Sequence, residues 1–137
     1  MKNTILEEFN VEEEFLYSDT YLFIKGFATG LKLNQTLKAL PLARCLHNGQ
    51  YRKGTVTVGD TEHRLPYLLH VLKVCSTLIS LEIYDYDNKD ELRKLDTLLS
   101  SALLHDIIED CSSNFPDGGT ELTTRYGFSP DVYTTVK

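Results

Sequence analysis

The longest apolar stripe in the chain places the tightest limit on its fold. Leu92, Leu95, Leu98, Leu99 and Ala102 recur at helical spacing and lead into Leu103-Leu104-His105-Asp106-Ile107-Ile108-Glu109-Asp110. Asn88 or Asp90 stands ready to cap the start. Read as one helix of about twenty residues, the stripe spans roughly 30 Å and makes the central strut of an all-α domain. On such a helix His105, Asp106, Glu109 and Asp110 share an arc of about 140°, with Leu104, Ile107, Ile108 and Cys111 on the opposite side. A solvated face mixes in lysines, and this arc has none. Carboxylates crowded at a helix's negative end oppose its dipole, which calls for a cation or a partner. Adjacent His and Asp suit a divalent first-row metal, since imidazole nitrogen and carboxylate oxygen both ligate such ions. The plainer alternative is an acidic helix end left in water.

The rest of the chain is read around that strut. Residues 1–17, acidic and dotted with Ile5, Leu6, Phe9, Phe15 and Leu16, suit a short amphipathic helix. Asp19 is expected to cap a second helix with Tyr21, Leu22, Ile24 and Phe27 as its stripe and Gly30 as its stop. Asn34 is expected to cap a third, carrying Leu37, Leu40, Ala43, Leu46 and His47, with Pro41 kinking or splitting it. His47 to Gly54 reads as a polar loop. Thr55-Val56-Thr57-Val58 alternates and is β-branched, so a small hairpin near residues 54–60, turned by Gly59-Asp60, is the one strand signal. Pro66 suits the first turn of the next helix, which runs through Leu68, Leu69, Leu72, Cys75, Leu78, Ile79 and Ile83 with His70 near its start. Taken alone, His70 reads as a core histidine with a hydrogen bond. The acidic linker Tyr84 to Lys89 lacks the glycine and final glutamate of a calcium loop. Beyond the cluster, Ser112 to Gly119 is rich in turn formers. Thr120 then caps a short helix ending at Gly127, and Ser129-Pro130 opens a last one.

Composition narrows the function. At 137 residues, 42% hydrophobic and 25% charged, the chain is one ordinary globular domain with room for a core. A net charge of −6 argues against a nucleic-acid surface, though not against a local basic pocket for a small anion. Arg52-Lys53 is the candidate pocket: solvated loop charges on the plain reading, phosphate contacts on the functional one. No apolar run reaches the roughly 18 residues of a membrane helix, so no membrane partner is expected. Cys45, Cys75 and Cys111 lie in separate apolar segments, which favours reduced thiols and a cytoplasmic setting.

The ordered set His47-x-Gly49-Gln50-x-Arg52-Lys53, Pro66-Tyr67-x-x-His70 and Leu104-His105-Asp106-Ile107-Ile108-Glu109-Asp110 resembles the HD-domain phosphohydrolases. It is most similar to their stringent-response branch, the Rel/Spo-type hydrolases that remove the 3′-pyrophosphate of guanosine tetra- and pentaphosphate. The resemblance covers residues 37–137 and implies an all-α HD-type helical bundle. It implies His70, His105 and Asp106 as ligands of one divalent ion, usually manganese, with Glu109 and Asp110 handling the attacking water. Arg52 and Lys53 would meet the nucleotide, and His47 would line or brace the site. The family's fourth ligand, an aspartate on a later helix, lies beyond the last residue here, and Val71 stands where that branch mostly has proline. The chain is therefore expected to be the N-terminal part of one HD-type domain, with an apolar face left open to homo-oligomerisation. A hydrolase of another phosphoester and a non-catalytic nucleotide-binding module remain the alternatives.

Overall fold

The leucine stripe does become the strut around which the other helices pack. A computed structural model describes residues 15–136, apart from the side chains of Glu109, Asp110 and Ser112. The helix expected over residues 1–17 falls almost wholly outside that range. The elements are α1 Ser18–Leu31, α2 Asn34–Leu46, β1 Tyr51–Val58, β2 Thr61–Pro66, α3 Tyr67–Ser80 and α4 Lys89–Leu104. One-turn helices α5 Ile107–Asp110 and α6 Glu121–Thr124 follow, then α7 Pro130–Val136. Helix α4 packs against α2, α3 and α7, and α1 lies against α2 and α3. Its Leu95, Leu99, Leu103 and Leu104 are buried among Leu40 and Ala43 of α2, Val71, Leu72 and Cys75 of α3, and Val132 of α7. Each fully buried leucine contributes about 2 kcal/mol of transfer free energy.

Several expectations need correcting. The chain is mostly helical, but it is not all-α, and its architecture does not identify an HD-type bundle. A two-stranded antiparallel sheet spans Tyr51 to Pro66, pairing Val58 with Thr61 at the turn and Tyr51 with Pro66 at the base. It is therefore far longer than a hairpin confined to residues 54–60. A register shift between Tyr51 and Thr55 leaves Arg52, Lys53 and Gly54 in a bulge, with Gly54 at φ +92°. Pro66 closes the strand rather than opening the helix, at φ −61° and ψ 138°. The strut also stops short. Asn88 caps it through hydrogen bonds from the Asp90 and Glu91 N–H groups, but it ends at Leu104, so His105 and Asp106 lie in a turn before α5. The single polar arc is thus broken in two.

The remaining corrections concern helix ends. Helix α1 starts at Ser18 with no side-chain cap and ends on Lys32 in the left-handed region, not on Gly30. Tyr21 and Ile24 of its expected stripe are buried, but Leu22 is 61% exposed and Ala28 is buried in addition. Helix α2 runs unbroken through Pro41. Asn34 is its first residue rather than its cap, and the cap comes from α4. Asp96 Oδ1 accepts the Thr36 N–H at 2.8 Å and the Thr36 hydroxyl at 2.7 Å, while Oδ2 accepts the Gln35 N–H at 3.1 Å. A carboxylate on the orphan N–H groups of a helix start satisfies them and favours the dipole together.

Asp96→Ala should therefore lower unfolding stability by about 2 kcal/mol in a urea titration, from loss of a cap and of charge-assisted hydrogen bonds. Arg93→Ala, which removes an ion pair whose side chains are 74% and 76% exposed, should cost under about 0.5 kcal/mol. Equal effects from the two would contradict the capping role.

Candidate metal centre

Three helix ends and the base of the hairpin meet at one place. Helix α2 delivers His47 just past its C-terminus, α3 brings Tyr67 and His70 in its first turn, and α4 ends on His105-Asp106. Gln50 ties these parts together. Its carbonyl accepts the Tyr67 N–H at 2.9 Å, and its side-chain oxygen lies 2.7 Å from His47 Nδ1. The side-chain amide of Gln50 also donates to Cys111 Sγ at 3.4 Å, and that thiol donates to the Leu46 carbonyl at 3.3 Å. His47 is only 2% exposed. It stacks at 4.9 Å on Tyr67, which meets His70 at 5.5 Å, and His70 meets His105 at 5.8 Å. This row of rings runs from the interior to the surface.

At its outer end His70, His105 and Asp106 offer donor atoms that all lie within 4.8 Å of one another. The donor set, two imidazoles and one carboxylate, fits a divalent first-row ion. The side chains of His105 and Asp106 are 35% and 27% exposed, so solvent reaches the cluster. Hydrogen bonding orients each donor. His105 Nδ1 lies 2.6 Å from the Ala102 carbonyl, which can only accept, so Nδ1 carries the proton and the neutral ring's lone pair is on Nε2. That bond also caps the last turn of α4. Nε2 lies 2.9 Å from Asp106 Oδ2. A ring lone pair facing a carboxylate oxygen at that distance calls for a positive charge, a proton or a metal ion. Tyr67 Oη donates to the same Oδ2 and holds the carboxylate in place. Outer partners of this kind orient a ligand and raise its affinity for metal.

His70 differs from His105. Burial, then the neighbouring Arg52 guanidinium, then His105 push its pKa below the usual histidine value of 6.5. The neutral ring, the form that ligates metal, is therefore favoured at neutral pH. Protonation in acid removes that donor. The ring's contribution to folding is complete above pH 6.5 and fades as the pH falls towards the lowered value.

The sequence-derived site is brought together only in part. His70, His105 and Asp106 converge, and Arg52 reaches His70, its Nη1 lying 2.9 Å from Nδ1. His47 braces the site from within, through Gln50 and Tyr67. Lys53 is exposed and makes no contact with the cluster among the described side chains. The backbone of Glu109 and Asp110 lies in α5, one turn beyond Asp106, in a helix separate from the strut. Tyr67 and Gln50 carry roles that the motif reading left unassigned. The spacing held a signal for the first: Tyr67 precedes His70 by three residues, so the two share a helix face.

Among the described residues no helix is long and apolar enough to cross a membrane. No protein-family model, curated protein or solved structure matches the chain.

His105→Ala and Asp106→Ala should lose Mn2+ through gel filtration and elemental analysis, whereas Glu109→Ala should keep it. The reverse pattern would contradict the ligand set. Tyr67→Phe should weaken Mn2+ binding by about 10- to 100-fold while leaving the thermal midpoint close to wild type. Unchanged affinity in this variant would show that the phenol does not hold Asp106 for the metal.

Proposed function

We propose that this chain is a divalent-metal-dependent phosphohydrolase that takes the 3′-pyrophosphate from guanosine tetra- or pentaphosphate in the cytoplasm. The observation that carries this reading is the meeting of His70 with His105 and Asp106, residues far apart in the chain, within 4.8 Å and beside a guanidinium. The motif resemblance to HD-domain phosphohydrolases supplies the reaction class and the nucleotide.

When bound there, a divalent ion such as Mn2+ supplies Lewis acidity towards a phosphoryl oxygen and lowers the pKa of water. The remaining work falls to the protein. Glu109 and Asp110 receive the proton of the attacking water and orient it, a task that needs a carboxylate within hydrogen-bond reach. The water oxygen forms a bond to the phosphorus attached at the 3′ oxygen, and the P–O ester bond breaks. Pyrophosphate departs, and the 3′ oxygen takes up a proton. Arg52 receives phosphoryl oxygens through its planar fork, and Lys53 adds a point charge. His47 keeps Tyr67, and through it Asp106, in place.

The test is anion-exchange analysis of guanosine tetraphosphate incubated with Mn2+-loaded protein. Guanosine diphosphate and pyrophosphate should appear in equal amounts, and Glu109→Gln should reduce the rate by about 100-fold or more. Release of single orthophosphate would reassign the substrate. Tight nucleotide binding without turnover would overturn the enzymatic reading in favour of a binding module.

A further inference from the structure

The contact between Arg52 and His70 has a consequence for how the centre is loaded. A guanidinium has only donors, so at 2.9 Å His70 Nδ1 must be the acceptor. Neutral imidazole has one ring lone pair, and Arg52 therefore holds the only one that His70 has to offer. A metal ion taking either nitrogen of His70 must first break this bond. The two cations also compete by charge, since the guanidinium lies against one of the three donors grouped within 4.8 Å. Arg52 makes no ion pair with any described carboxylate. It stands in the bulge of β1, a backbone irregularity of the kind that re-aims side chains beside sites.

We infer that Arg52 is a built-in occupant of the metal seat, drawn off His70 by a phosphoryl dianion, so that anion and metal load together. This inference rests on the metal-site reading above and adds its regulation. A phosphate-like dianion offers the guanidinium two charged acceptors in bidentate geometry, a stronger partner than one neutral ring nitrogen. Once Arg52 turns to the anion, His70 regains its lone pair and the local positive charge is neutralised. Each ligand then raises the affinity of the other by the same factor. The centre holds metal weakly when empty of substrate and firmly when substrate is present.

The experiment is a Mn2+ titration, with free Mn2+ read by electron paramagnetic resonance at fixed ionic strength in chloride or sulfate, sulfate being the dianion probe. In chloride, Arg52→Ala should bind Mn2+ about 5- to 150-fold more tightly than wild type. Sulfate should tighten wild-type binding and leave Arg52→Ala unchanged. Lys53→Ala removes the same charge next door without touching His70, and in chloride it should bind Mn2+ as the wild type does. Nitrogen NMR of the metal-free protein gives a second readout: His70 should carry its proton on Nε2 in the wild type and lose that preference in Arg52→Ala. Wild-type and Arg52→Ala proteins that bind Mn2+ equally, with no sulfate effect, would overturn the inference and leave the metal site standing. Equal tightening by Lys53→Ala would reduce the effect to bulk charge and also overturn it. Failure of every protein to bind Mn2+ would remove the metal seat and this inference with it.

Discussion

The Asp96 carboxylate of α4, set on the N-terminus of α2, is the contact on which the rest of the arrangement depends. It satisfies two backbone N–H groups and the Thr36 hydroxyl from a residue sixty positions away. Helix α2 has no side-chain cap of its own. With one end so anchored and the other tied through the Leu46 carbonyl to Cys111, α2 is held alongside α4 over its length. Both helices then deliver their C-termini to the same place, and α3 starts there. The candidate site follows from that register: His47, Tyr67, His70 and His105 come into one row because three helix ends share one level.

Polarity within the row is graded from inside to outside. His47 is buried and its partners are protein groups, whereas His105 and Asp106 are partly open to solvent. Tyr67 joins the two regimes. Its ring packs between imidazoles and its hydroxyl reaches the Asp106 carboxylate. A side chain with an apolar body and a polar tip suits such a boundary. The outer donors are individually oriented: His105 by the Ala102 carbonyl, Asp106 by Tyr67, and His70 by the Arg52 guanidinium.

Much of this was legible in the sequence where local patterns decide the outcome. The strut, its Asn88 cap, the helix carrying His70 and the Ser129-Pro130 helix start all follow from spacing and capping residues. The misses have nonlocal causes. Nothing in Leu104-His105-Asp106-Ile107 marks a break, since no Gly or Pro stands there; the Ala102 and Tyr67 contacts end the helix instead. Asn34 looks like a cap only until Asp96 arrives from another helix. The full length of the hairpin is not marked in the sequence because its strands are mostly exposed, so no apolar alternation marks residues 51–54, and the bulge puts glycine and two cations in the strand. In the cluster, the residue types suit a metal, but the geometry differs from the single helical arc that the spacing suggests. His105 and Asp106 converge with His70 from another helix, and the single helix expected to carry them together with Glu109 and Asp110 stops at Leu104.

The central claim is that His70, His105 and Asp106 hold one divalent ion. Crystals of the protein soaked in Mn2+, with data collected above and below the manganese edge, test it most directly. The account predicts a single anomalous peak bonded to all three residues. A peak elsewhere, or none between these side chains at saturating Mn2+, would contradict it.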